Sequence, residues 1–144
     1  MSLREDIARA IQLGLQEIQD PRSVLVTREP FEVEKLAITQ FPALLIKTAS
    51  EERLNVSMGA SAIGRRTGTI EMNVRGFVRG TDLDTKRNEI IDAVEQAIDL
   101  DRYWGLKDRG VLDSQITQIE IIDRVPPLAE ISITITVNYN YLRN

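Results

Sequence analysis

The sequence predicts an α+β fold: one mainly antiparallel sheet of four or five strands with two helices on one face, in the order α-β-β-β-α-β-β. Three observations predict it. From Ile131 to Tyr141 every odd position is apolar (Ile131, Ile133, Ile135, Val137, Tyr139, Tyr141), while every even position from Glu130 is polar. Side chains alternate faces along a strand, so this is one long strand with one buried face, about twice the usual length of roughly 5–6 residues. Two further segments repeat apolar residues at helical spacing. The remaining apolar runs are short and joined by turns, and strands joined in this way are usually antiparallel neighbours.

The first helix is expected over Ser2 to Gln19. Ser2 and Glu5 have the spacing of a capping box, and Leu3, Ile7, Ile11, Leu15 and Ile18 form one stripe for covering a sheet. Asp20-Pro21 stops it, because proline disfavours helical geometry in the residue before it. Val24 to Thr27 is a short strand candidate, and Arg28 to Gln40 is charged, exposed and of unclear form. The run Ala43 to Thr48 is almost continuously apolar, as in a strand inside a sheet. A long protruding loop follows at about 50–68, and Thr69 to Arg79 returns to strand alternation with Gly76 on the apolar side. Thr81-Asp82 then caps a second helix to about Leu100, whose stripe is Leu83, Ile90, Ile91, Val94, Ala97 and Ile98. Trp104 seals the core beyond it, Lys107 to Ser114 is a polar connection, and Gln115 to Ile122 is the strand before the last.

Composition narrows the function classes. A chain of 144 residues suits a single domain, 1–144, large enough for a core without staples. It contains no Cys and no His, which removes disulfides, thiol catalysis, thiolate metal sites, the commonest general base and the commonest zinc ligand. A net charge of −4 argues against a generic nucleic-acid binder. No segment has the length and apolarity of a membrane span, so the chain is expected in the cytoplasm where it is made.

Catalytic motifs are sparse. Gly59 to Gly68 contains glycines but lacks the Gly-Lys-Ser/Thr ending and the following helix of a phosphate loop. The acidic pairs Asp82 with Asp84 and Asp99 with Asp101 flank the second helix; the first pair suits the helix dipole, and the second is expected to be solvated or paired with Arg102. No spacing requires a carboxylate metal site. The chain is therefore expected not to be an enzyme and to use no cofactor.

Two stretches instead read as contact surfaces. Ser132, Thr134, Thr136 and Asn138 lie on the polar face of the last strand, where uncharged side chains can face water or meet a protein without stranding a charge. In the 50–68 loop, small and polar residues are interspersed with Leu54, Val56, Met58 and Ile63 and end at Arg65 and Arg66. Such a stretch is either a solvated hairpin tip or an arm that orders against a neighbour.

The N-terminal amphipathic helix, the F-P-A-L-L-I-K strand from Phe41, the long loop, the segment I-E-M-N-V-R-G-F-V-R-G-T-D from Ile70 to Asp82 and the terminal I-T-V-N-Y-N-Y together resemble the tail terminator and tail completion proteins of tailed bacteriophages. The resemblance spans nearly the whole chain as a pattern of elements. It implies a structural virion protein: a hexameric ring that caps the finished tail tube and joins it to the head connector. Its implied partners are further copies of itself, the tail tube protein and the head-tail connector protein, with DNA only as cargo through the lumen. Its implied location is the virion tail or neck, with the host cytoplasm during assembly. A second hypothesis, from another class, is a small α+β enzyme or ligand-binding module with a pocket between the 50–68 loop and the sheet.

Overall fold

The structure, a computed structural model, describes residues 2–20, 22–54 and 65–142, with side chains described for 2–20, 22–53 and 67–140. Helix α1 runs over Leu3–Glu17. The Ser2 side chain accepts a hydrogen bond from the Glu5 backbone amide at 3.2 Å, satisfying one of the free donors at the helix start. The Glu5 carboxylate does not return the bond; it takes the guanidinium of Arg28 instead. Ile7, Ile11 and Leu15 are buried as expected, and Ile18 remains buried just past the helix end.

Five strands follow: β1 Leu25–Thr27, β2 Ala43–Leu54, β3 Arg65–Arg79, then after α2 (Leu83–Leu100) β4 Val111–Ile122 and β5 Leu128–Leu142. They form one sheet in the order β1-β2-β3-β5-β4. The sheet is mixed: β1 pairs parallel with β2, and the other pairings are antiparallel. The expected loop at about 50–68 is shorter than its composition suggests. β2 continues to Leu54 and β3 starts at Arg65, so the strands themselves extend into it.

The helices and one sheet face enclose the main core, which includes Ile7, Ile11, Leu44, Ile70, Met72, Val74, Ile90, Val94 and the odd-numbered residues of β5. Gly76 provides the close approach its position suggested. A methyl group there would lie 2.7 Å from Ile90 Cδ1 and 3.1 Å from Ile131 Cγ2, so the absence of a side chain at this position lets Ile90 of α2 pack directly against the sheet. Asp82 precedes α2 in a left-handed conformation (φ 53°) and makes no side-chain cap, contrary to the expectation from Thr81-Asp82. The sharp exit from β3 is stabilised by Lys86, whose Nζ donates to the Arg79 carbonyl at 3.1 Å. Trp104 closes the core as expected, its indole donating to Ser114 Oγ at 2.9 Å.

The segment between β1 and β2, unclear in sequence, covers part of the opposite sheet face. Two short 3-10 turns, Val33–Lys35 and Ile38–Gln40, shape it. Val33 packs with Ala43, Leu45 and Phe77, flanked by Phe31, Leu36 and Phe41. This second small core explains why residues 43–46 are buried on both sides and read as a continuous apolar run.

Ile133 is fully buried, and Thr134 lies half-buried on the opposite face. Ile133→Asp is expected to abolish cooperative unfolding, because a carboxylate without a partner enters the centre of the core. Thr134→Asp is expected to keep the native fold at a cost of about 1 kcal/mol or less. Circular dichroism with urea titration of both variants checks the pair.

Candidate functional site

The candidate site is the polar face at the middle of the sheet. On β5, Ser132, Thr134 and Asn138 are half-buried, and Thr136 is 9% exposed. β3 supplies Thr69, Glu71, Asn73 and Arg75 opposite Asn138, Thr136, Thr134 and Ser132, and β4 supplies Gln115, Gln118 and Glu120 opposite Thr136, Thr134 and Ser132. Side-chain hydrogen bonds knit the three strands. Asn73 Nδ2 donates to Ser132 Oγ at 2.7 Å, Thr69 Oγ1 donates to Asn138 Oδ1 at 3.0 Å, and the hydroxyls of Thr117 and Thr136 lie 2.7 Å apart. The row is uncharged along β5 from Ser132 to Asn140, but its flanks carry Lys47, Glu71, Arg75 and Glu120.

The row ends at a charged cluster that the sequence pattern concealed. Glu130 is the first of the even-numbered polar residues, yet it is fully buried. Arg75 Nε and Arg124 Nε each donate to one of its oxygens at 2.7 Å. Both guanidiniums also sit 5.3 Å from the centroid of the Phe77 ring. The carboxylate is thus compensated on both oxygens, as burial of a charge requires.

A second network lies on the helix side, where the arm formed by β2, β3 and β5 leaves the core. Glu51 accepts from Arg4 and Arg53, at 2.7 Å and 2.8 Å, and from the Tyr139 hydroxyl at 2.9 Å. The Arg4 guanidinium, above all, holds the Glu51 carboxyl down at about 2; burial opposes this, and Arg53 and Tyr139 add to it. Burial and the bond to Glu51 push the Tyr139 phenol above its ordinary value. Gly68 makes room for that ring, since a methyl group there would lie 2.3 Å from the ring carbon Cζ.

The residues predicted to bind partners divide into two sets. Ser132, Thr134, Thr136 and Asn138 are brought together in one row. Leu54, Arg65 and Arg66 lie on the backbone of the arm, with Leu54 opposite Thr67 and Arg65 opposite Leu142. Val56, Met58 and Ile63 lie outside the described residues. The acidic pairs have local roles: Asp84 pairs with Arg87, and Asp101 accepts from the amides of Tyr103 and Gly105. Arg102 pairs with Asp113 at 3.7 Å rather than with Asp101, whose oxygens those amides occupy.

Sequence reasoning missed a cleft of about 830 Å³ between α2 and the chain around residues 20–42, lined by Arg22, Phe41, Arg79, Lys86, Glu89 and Asp92 among others. Its charges are of both signs and its mouth is wide. Among the described residues no cluster of three or more acidic side chains has metal-binding geometry, and no helix is long and apolar enough to cross a membrane. No protein-family model matches this chain, and no curated protein matches it either.

Two outcomes follow from the charge clusters. Glu130→Ala removes the carboxylate that both Arg75 and Arg124 contact, and is expected to cost about 1–3 kcal/mol in urea unfolding. That is below the roughly 3–5 kcal/mol of a wholly buried pair, because both guanidiniums reach solvent. For Glu51 the folded-state value lies below the ordinary 4.5, so its stabilisation is complete above about pH 4.5 and is lost as pH falls toward 2. Glu51→Gln is expected to flatten the acid limb of a stability-against-pH curve across that window, with little change in slope above it.

Proposed function

We propose that this chain is a structural subunit of a tailed-bacteriophage virion, a tail terminator that assembles as a ring of six, caps the tail tube and joins it to the head connector. The observation that carries this reading is the row of uncharged polar side chains along β5, bonded to side chains of the neighbouring strands β3 and β4 on the sheet face opposite the helices. A row of Ser, Thr and Asn leaves no unpaired charge when a second protein surface closes over it. The arm supports the same reading, because three strands continue past the Glu51–Tyr139 contact toward Leu54, Arg65 and Leu142 and form a projection suited to a neighbouring subunit.

The resemblance supplies the ring and the partners. A head-to-tail interface whose rotation closes gives a ring, and six copies at −4 each carry about −24, a charge that suits a lumen through which DNA passes without sticking. In this reading the subunit performs no chemistry. The competing ligand-binding reading draws on the mixed-charge cleft beside α2, which lies apart from the arm where that reading expected a pocket.

Light scattering with the tail-tube protein present tests the proposal. The parent chain is expected at roughly 100 kDa or bound as a ring on the tube, from a subunit of 16.3 kDa. Thr134→Asp is expected to reduce assembly at least tenfold, because it buries a carboxylate in the closed interface. A parent chain that stays at subunit mass alone and with tube protein overturns the reading. Normal assembly of Thr134→Asp removes the polar row from the interface.

A further inference from the structure

Strand β4 is an edge of the sheet, and it differs from the other edges. It is twelve residues long and contains no Lys, Arg or Pro; its charges are Asp113, paired with Arg102, and Glu120. Its register with β5 shifts after Val111 and after Ile116, which leaves Gln118–Ile122 regular. Within that stretch Ile119 and Ile121 point to the helix side, opposite Ile133 and Ile131. The helices cover Ile116 but not these two, and they stand 44% and 53% exposed.

At the other side of the sheet, β1 is three residues long, and the amides of Gln12 and Gln16 already donate to the Val26 carbonyl at 3.3 Å and 3.2 Å. The part of β2 beyond β1 carries the charges Lys47, Glu51, Glu52 and Arg53. Both are poor templates for another strand.

We infer that β4 pairs with β4 of a second copy of this chain, antiparallel about a two-fold axis at Ile119. Only an edge matched to itself gives such a contact without using the blocked or charged edges, and a patch that meets its own copy is a two-fold interface. Charge excludes the register centred on Glu120. An axis at Glu120 sets Glu120 opposite Glu120 of the partner subunit. An axis at Ile119 sets Ile119 opposite its own copy and Glu120 opposite the Gln118 amide, so no like charges face each other across the pair. Two five-stranded sheets then join into one of ten strands, and Ile119 and Ile121 of both copies form a shared apolar strip beside α2.

The register shift after Ile116 limits the new ladder to a few residues, so the pair is weak and concentration-dependent. It belongs to the free subunit and does not rest on the ring reading, whose interface is the polar face and the arm.

The absence of Cys makes the register directly testable. A single Ile119→Cys variant of the full chain is expected to cross-link to a dimer under mild oxidation at hundred-micromolar concentration. Directly opposed residues of an antiparallel pair lie about 4.5–5.5 Å apart at Cα, within disulfide reach. Leu112→Cys, equally exposed on the same strand but far from the axis, is expected to cross-link at least tenfold more slowly. In the parent chain, sedimentation is expected to show a monomer–dimer equilibrium that Ile119→Lys abolishes with an unchanged circular dichroism spectrum. A parent chain monomeric at every concentration, or equal cross-linking at positions 119 and 112, overturns the inference. A ring formed with tube protein but no cross-link at position 119 overturns it and leaves the ring reading standing.

Discussion

The ladder between β3 and β5 is the constraint on which the rest of the structure depends. It runs without a register shift from Arg65 opposite Leu142 to Arg79 opposite Leu128. Because side chains alternate with period two, one unbroken register assigns every residue of both strands to a face. Ile70, Met72 and Val74 are thereby set beside Val137, Ile135 and Ile133 against the helices. The same register lines Thr69, Asn73 and Arg75 along Asn138, Thr134 and Ser132 on the other side. A slip of one residue would expose the core and bury the amide and hydroxyl row together.

The two faces are stabilised by different physics. The helix side relies on apolar burial and close approach, with Gly76 admitting Ile90 and Gly68 admitting Tyr139. The opposite side combines a small apolar patch with a compensated ion cluster. Phe77 packs against Phe31 edge-on at 5.4 Å between centroids while two guanidiniums lie over it, and Glu130 holds those guanidiniums in place. The segment from Arg28 to Phe41 is therefore anchored partly by apolar contact and partly by the link from Arg124 to Glu34 at 3.2 Å.

Legibility in the sequence followed the range of the interactions. Both helices and the alternation of β3 and β5 are periodic properties of contiguous residues, and they were readable. The segment between β1 and β2 was not. Phe31, Val33, Leu36 and Phe41 match neither the helical nor the strand period, and their partner Phe77 is distant in the chain. Glu130 read as one more solvent-facing residue because its compensation comes from β3 and from the turn before β5. The parallel direction of β1 was hidden for a similar reason, since a three-residue strand carries no signal of direction. The polar row was visible as a pattern, but its internal bonds were not, because they depend on which strands become neighbours.

Those internal bonds bear on how such a surface can pass between a free and an assembled state. Thr69, Asn73, Thr117, Ser132, Thr136 and Asn138 each have a partner within the sheet. Removing water from them therefore costs less than removing it from unpaired hydroxyls and amides, and returning water gains correspondingly little. A face of this kind contributes little affinity of its own and presents little barrier to closure. In the proposed assembly, discrimination between partners falls to the charges beside it: Lys47, Glu71 and Arg75 toward one edge and Glu120 toward the other. A mismatched surface would set like charges together there, and a matched one would not. In the ring proposed above, the row permits contact and its charged margins decide with what.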